Sequence, residues 1–225
     1  MFKKYAGAYV INLLENDDRR ENFIKAWNNR SPKIEVIEAI DTRLGWWKKY
    51  KNFMSENAIK QMIQTTANKF RETHADLTPG AIGCYLSHLK CWEKFLQSKK
   101  GDYCLVLEDD SSLPNNLLPM VNKISKNINE KWGFVLLGWI AYSQYQEYND
   151  LVCKVDRFQL LHAYLISRFG AKKALSLHDK IEYQIDHFLS NVSKECKIFG
   201  LNEDLCKQEN TCGYTNIQNF IVKNI

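Results

Sequence analysis

Short unbroken apolar runs alternate along this chain with longer segments in which apolar residues recur every three or four positions. The runs Tyr5–Leu13 (YAGAYVINL), Ile34–Ile40 (IEVIEAI), Tyr103–Leu107 (YCLVL), Phe134–Trp139 (FVLLGW), Leu151–Val155 and Leu161–Ser167 read as strands. Apolar runs without polar alternation are those of strands buried on both faces. Between them, Asn16 or Asp17 is expected to open a helix running to about Asn28, and Ser55 to cap a polar helix through Lys69. Thr78 suits an N-cap and Pro79 a first helical position, after which Ile82, Leu86, Leu89, Trp92 and Leu96 keep helical spacing through Ser98. Further helices are expected near Leu117–Ile128, Gly170–Leu177 and Glu182–Val192. This alternation predicts an α/β fold, a mixed sheet covered by helices on both faces. No repeat or long linker divides the chain, so residues 1–225 read as one domain, in which the polar stretch 45–76 reads as an insertion or lid.

Composition narrows the class. Hydrophobic residues make up 45% and charged residues 25%, as in a globular protein, and the 6 Trp, 11 Tyr and 11 Phe argue against disorder. The net charge of +5 suits anionic substrates or an anionic membrane surface, while Lys and Arg spread along the chain, so no nucleic-acid partner is expected. The 7 Cys include no CxxC pair. Cys84, Cys91, Cys104 and Cys153 read as small buried hydrophobes. Cys196, Cys206 and Cys212 cluster near the end, where a disulfide or a zinc site is the alternative, and no matching His spacing supports zinc. The expected state is reduced and the expected location cytoplasmic, at the inner face of a membrane. No signal peptide precedes Tyr5 and no apolar run reaches spanning length.

The densest chemistry is in YCLVLEDDS, where an apolar run ends in Glu108, Asp109 and Asp110. Three adjacent anions at the end of a buried strand repel one another, and a hard divalent cation would relieve that repulsion. Side chains at i and i+2 of a strand share a side, which pairs Glu108 with Asp110, and ligands of open α/β sheets sit beyond the carboxyl ends of strands. The alternative is an acidic loop capping the next helix. Asp41 ends a strand, where it suits ribose hydroxyls or serves as a turn residue bonding its own backbone. Gly80, Gly83 and Ser87 share one side of the helix that starts at Pro79. There they admit a phosphate to the helix N-terminus or close packing on the sheet. Ser87 and His88 interrupt an apolar helix as a polar pair. Asp186 and His187 in YQIDHFLS are candidates for a general base or a metal ligand, or else an exposed helix face. An Arg after the first strand, in Asp18-Arg19-Arg20, suits a phosphate or simply a charged first turn. The aromatic stretches Trp46–Phe53 and Trp139–Tyr148 suit sugar stacking or ordinary packing.

Taken in order, the segments YVINLLENDDRRENF, EAIDTRLG, LTPGAIGCYLSHLKCWEKF, YCLVLEDD, HAYLISRFGAKKAL, QIDHFL and GYTNIQ resemble glycosyltransferase family 25 over most of the chain. That family includes lipopolysaccharide and lipooligosaccharide sugar transferases and collagen galactosyltransferase domains. The resemblance implies a GT-A-like, Rossmann-type fold and an inverting transfer from a UDP-sugar, commonly UDP-galactose, with Mn²⁺ or Mg²⁺. It implies a saccharide or glycolipid acceptor. It places Glu108 and Asp110 at the metal, and Asp186 and His187 at the catalytic step. Asn12, Arg20, Asp41, Gly80, Ser87, His88, Glu108 and Asp109 fall at the nucleotide-sugar. Thr42 stands where the family has Gly, and Thr215 and Asn216 stand where it has Ser and Asp. A metal-dependent phosphoryl hydrolase and a transferase-like binding protein without activity are the alternative readings.

Overall fold

The computed structural model describes residues 4–28, 30–73, 75–208 and 221–222. Strand β1 (Tyr5–Asn12) leads into helix α1 (Asp17–Trp27) and strand β2 (Ile34–Glu38). A 3₁₀ helix (Trp46–Phe53), helix α2 (Glu56–Asn68) and the short β3 (Phe70–Arg71) follow. Next come α3 (Pro79–Ser98), β4 (Tyr103–Glu108) and α4 (Leu117–Asn127). Strands β5 (Phe134–Leu136), β6 (Ile140–Ala141), β7 (Gln146–Glu147), β8 (Val152–Lys154), β9 (Phe158–Gln159) and β10 (Ala163–Ser167) precede α5 (Arg168–Leu177) and α6 (Ile185–Asn191). Helix α7 (Ser193–Cys196) and strands β11 (Ile198–Leu201) and β12 (Ile221–Val222) end the described chain.

Eight strands form one sheet in the order β2-β1-β4-β10-β5-β11-β8-β7. β2, β1 and β4 run parallel, β10 runs antiparallel between β4 and β5, and β11 is parallel to β5. The central strands are apolar throughout because both faces are covered. Tyr9, Ile11, Cys104, Val106, Tyr164 and Ile166 point to the side holding α2, α3, α5 and α6. Ala8, Val10, Leu105, Leu107, Ala163 and Leu165 point to the side holding α1 and α4. The mixed α/β sheet flanked by helices is the architecture that the periodicity predicts.

Local caps explain the helix boundaries. Thr78 Oγ1 accepts from the Ala81 amide at 3.1 Å and Ser55 Oγ from the Ala58 amide at 3.1 Å, so α3 and α2 start where the sequence places them. Several expected elements are shorter. The strand expected over Phe134–Trp139 ends at Leu136, and the helix expected over Glu182–Val192 is confined to Ile185–Asn191. Strand β11 has no counterpart among the expected elements. From the polar stretch 45–76, Trp47, Met54, Ala58 and Met62 are buried in the α3-side core. Cys84 is half-buried rather than core, and six cysteines are free thiols, Cys196 and Cys206 among them. Cys212, Thr215 and Asn216 lie outside the described residues. Among the described residues, no helix is long and apolar enough to cross a membrane.

Candidate nucleotide-sugar site

From β1 the chain moves to β2 on one side, and β4 lies on the other. The point beyond the carboxyl ends of β1 and β4 is therefore a topological switch point, where open α/β sheets leave a crevice for ligands. A cleft lies there. Its walls are the end of β1, Arg19 of α1, the Ala39–Arg43 loop after β2, the first turns of α3, and Glu108, Asp109 and Asp110 after β4.

The acidic triplet is arranged by a turn rather than by a strand pleat. The Ser111 amide donates to Glu108 O at 3.0 Å, closing a reverse turn over Asp109 and Asp110. The expected i, i+2 pairing of Glu108 with Asp110 gives way to a shared cation for the two aspartates. Arg19 Nη2 lies 2.5 Å from Asp109 Oδ1 and 3.7 Å from Asp110 Oδ2. Asn12 Nδ2 also donates to Asp109 Oδ2 at 2.6 Å, and Gln208 Nε2 donates to Asp110 Oδ2 at 3.0 Å. Burial and the Glu108 charge push the Asp110 carboxyl up to about 7, and burial raises Asp109 against the pull of Arg19.

Glu108 turns toward α3. Its Oε1 lies 3.1 Å from His88 Nε2 and accepts from the Cys84 thiol at 3.8 Å. His88 Nδ1 lies 2.8 Å from Tyr164 Oη, which accepts from Trp92 Nε1 at 2.7 Å. One directed chain satisfies every group: Trp92 donates to Tyr164, Tyr164 donates to His88 Nδ1, and His88 Nε2–H donates to Glu108. Burial opposes ionisation of Glu108, but the His88 hydrogen bond and the charge of Arg19 help hold its carboxyl below the usual range.

Ser87 and Gly83 of α3 hold the wall on which Asp41 stands, and Gly80 lines the same cleft. Ser87 Oγ accepts from the Ile40 amide at 2.8 Å and donates to Gly83 O at 2.6 Å. A Cβ on Gly83 would run into Ile40 O and would lie 2.6 Å from Thr42 Oγ1. Thr42 is buried and donates to Pro79 O. Thr42 thus ties the loop to the helix. Asp41 is gripped by Arg43, whose Nε and Nη2 each lie 2.9 Å from a carboxylate oxygen, and this bond lowers the Asp41 carboxyl.

The candidates Arg20, Asp186 and His187 do not line the cleft. Arg20 pairs with Asp17 and donates to Leu14 O at 3.1 Å and to Asn12 Oδ1 at 3.4 Å, so of the two arginines of α1 it is Arg19 that lines the cleft. Asp186 Oδ2 accepts from the Leu160 amide at 3.1 Å and Oδ1 from the His187 amide at 2.8 Å, and burial raises its carboxyl. The Cys84 thiol is pushed up by burial and then by the charges of Glu108 and Asp186. Asn16, Arg43, Cys84 and Tyr164 are absent from the candidates that the sequence suggests, and Arg19 stands among them only as one of the two arginines after β1. Of these only Arg19 carries a signal, a cation one turn into the helix that follows β1.

Cys84, His88 and Glu108 bring ligand atoms within 4.8 Å of one another. Their chemistry suits a hard cation poorly, since both His88 nitrogens are engaged and the Cys84 thiol stays protonated. Asp110 fits better, because its Oδ1 is buried and has no hydrogen-bond partner. Arg19 Nε is likewise buried and unpartnered, leaving one donor and one acceptor unused in the same cleft.

The pattern of the family described as "Glycosyltransferase family 25 (LPS biosynthesis protein)" matches residues 6–159. Human "Procollagen galactosyltransferase 2" is 23% identical over 135 residues, 58% of this chain and 20% of that protein. Acanthamoeba polyphaga mimivirus "Putative glycosyltransferase R655" is 26% identical over 162 residues, 72% of this chain and 44% of that protein. Human "Inactive glycosyltransferase 25 family member 3" is 24% identical over 135 residues, 58% of this chain and 21% of that protein. The chain thus spans about a fifth of the human relatives and under half of the viral one. The solved structure of A197 from STIV superposes with a TM-score of 0.43 at 12% identity, over 91% of this chain and 83% of that one. The matched span carries β1, the Asp41 loop, α3 and the acidic turn, every wall of the cleft, and the chain belongs to glycosyltransferase family 25.

Proposed function

We propose that the protein transfers a hexose, galactose first among the candidates, from a UDP-sugar to a hydroxyl of a saccharide acceptor, with inversion. The observation that carries this reading is the cleft at the switch point, lined by Arg19 and by Asp110, whose buried Oδ1 has no hydrogen-bond partner. Arg19 offsets charge on the diphosphate, and Asp41 stands at the β2 end where a ribose hydroxyl donates. Asp110, with Asp109 or Glu108, would hold a divalent cation, Mn²⁺ or Mg²⁺. Such an ion supplies positive charge to a departing nucleoside diphosphate. Asp186, or His187 in its place, takes the proton of the acceptor hydroxyl as the oxygen bonds to the anomeric carbon and UDP leaves from the opposite face. The acceptor class is a lipopolysaccharide- or lipooligosaccharide-type glycolipid at the cytoplasmic face of an anionic membrane.

Purified protein incubated with a panel of UDP-hexoses, with Mn²⁺, Mg²⁺ or chelator, reports UDP release with and without saccharide acceptors. Acceptor-stimulated, cation-dependent release of UDP from one donor is the expected outcome. Binding of UDP without turnover on any donor would place the chain with the relative named inactive. Release of inorganic phosphate would indicate a hydrolase.

A further inference from the structure

The cleft wall Asp41-Thr42-Arg43 continues directly into a surface of unusual make-up. Leu44 is 96% exposed, at a positive φ of 52°, and Trp46 and Phe53 are about half exposed. Lys48, Lys49 and Lys51 stand among them, all exposed, and no acidic residue occurs from Leu44 to Ser55. Side chains three apart in a 3₁₀ helix eclipse one another. Trp47 and Tyr50 accordingly turn inward, with Phe53 half-exposed at the end of their row, while Trp46 with Lys49 and Lys48 with Lys51 form the two outer rows. This surface is fixed to the body. Trp47 N donates to Thr42 O at 2.9 Å, Ile181 N donates to Phe53 O at 2.7 Å, and Trp47 is buried.

We propose that Leu44 and the 3₁₀ helix Trp46–Phe53 dock the protein on an anionic lipid bilayer, with the donor cleft opening beside the docked face. Aromatic and aliphatic side chains interleaved with lysines are the chemistry of the headgroup boundary. Lysine stems lie along apolar surface while their ammonium groups reach phosphates. A soluble saccharide stacked on Trp46 is disfavoured, since Lys49 Nζ already sits 3.7 Å from the centre of that ring. An unpaired leucine held almost wholly in water gains nothing from solvent, whereas a bilayer receives it. The inference deepens the proposed function, on which it rests for the lipid-linked nature of the acceptor and for nothing else.

The test is sedimentation of the full chain with vesicles of phosphatidylglycerol and phosphatidylcholine in equal parts, against phosphatidylcholine alone, without sugar nucleotide. The expected result is binding to the anionic vesicles only, weakened by salt, with a blue shift of tryptophan emission. Each lysine near an anionic leaflet strengthens partition by roughly fivefold, so a K48Q/K49Q/K51Q variant should bind on the order of a hundredfold more weakly. An L44S/W46S/F53S variant should lose binding independently. Thermal melting of both variants verifies the fold. Equal binding to both vesicle types, no binding, or unchanged binding by both folded variants would overturn the proposal. So would a Trp46 emission change with free saccharide but not with vesicles. UDP release measured separately on soluble acceptor distinguishes the two readings. Turnover without vesicle binding sinks the docking surface alone, and vesicle binding without turnover sinks the transferase alone.

Discussion

His88 Nε2 and Glu108 Oε1 lie 3.1 Å apart, and the histidine is held in that pose from behind by Tyr164, 2.8 Å from Nδ1. Tyr164 Oη is the one group that serves both His88 and Trp92, and all three side chains are fully buried. Tyr164→Phe keeps the ring and removes the hydroxyl, leaving Trp92 Nε1–H and His88 Nδ1 without a partner. Each buried orphan costs about 1–3 kcal/mol, so the variant should lose about 3 kcal/mol in urea unfolding with an unchanged m-value. A loss under about 0.5 kcal/mol would show that the hydroxyl does not close this chain.

Gly83 fixes how closely the Asp41 loop can approach α3. Its missing Cβ would collide with Ile40 O and press on Thr42 Oγ1 at 2.6 Å, atoms of backbone and of a buried side chain that cannot swing away. Gly83→Ala should therefore destabilise by about 1–3 kcal/mol, despite the better helix propensity of Ala. The displaced loop should also weaken UDP binding, read by calorimetry on the folded variant. A more stable Gly83→Ala protein would mean that the loop has room to move.

The parts of this arrangement that could be read from the sequence are those set by local chemistry. Thr78-Pro79 marks the start of α3 to the residue because a cap and a fixed φ act within one turn. The acidic triplet marks the end of β4 for the same reason. Strand β11 was illegible because Ile198–Leu201 is four residues long and follows a one-turn helix, with no alternation to count. That Tyr164 stands behind His88 depends on β10 inserting antiparallel beside β4, a long-range pairing that no local spacing encodes. Arg19 and Arg20 are adjacent, and only the orientation of α1 against the sheet decides which one meets Asp109.

That orientation makes the two arginines separable. Arg19→Ala removes the cation shared by Asp109 and Asp110 and leaves three clustered carboxylates unopposed by it. Turnover per donor bound, kcat/KM for the UDP-sugar, should fall at least tenfold, about 1.4 kcal/mol of transition-state stabilisation. Arg20→Ala breaks an exposed pair with Asp17, a contact of about 0–1 kcal/mol, and should cost less than threefold. The reverse ranking would place Arg20, not Arg19, on the phosphate.

In the proposed site, Asp110 would link cation binding to pH. Its carboxyl is raised by burial and by the Glu108 charge from its ordinary value of 3.8 to about 7. The folded value exceeds the unfolded one, so its contribution to stability is complete below pH 3.8 and is lost as pH rises through about 7. Below pH 7 a cation must displace a proton there. Mn²⁺ affinity should fall roughly tenfold from pH 8 to pH 6, as the ionised fraction drops from about nine-tenths to about one-tenth. Titration by the Mn²⁺ paramagnetic signal checks this, and Asp110→Asn should flatten the profile. Affinity that ignores pH in the native protein would remove Asp110 from the ligands.

Asp186 separates a chemical role from a structural one. Its carboxylate accepts from the Leu160 and His187 amides, contacts that would suffice for a residue that only holds the start of α6. Asp186→Asn keeps the shape and one acceptor oxygen but cannot take a proton. As general base, the residue contributes roughly 10²–10⁴-fold to rate. The variant should therefore lose at least a hundredfold in kcat while its affinity for UDP changes less than threefold and its melting temperature moves by only a few degrees. Loss of a capping contact alone would instead lower stability by about 1 kcal/mol and leave kcat within a few-fold of the parent. A variant that melts early yet turns over normally would return Asp186 to the fold and leave His187, beside it on α6, as the group to test for the proton.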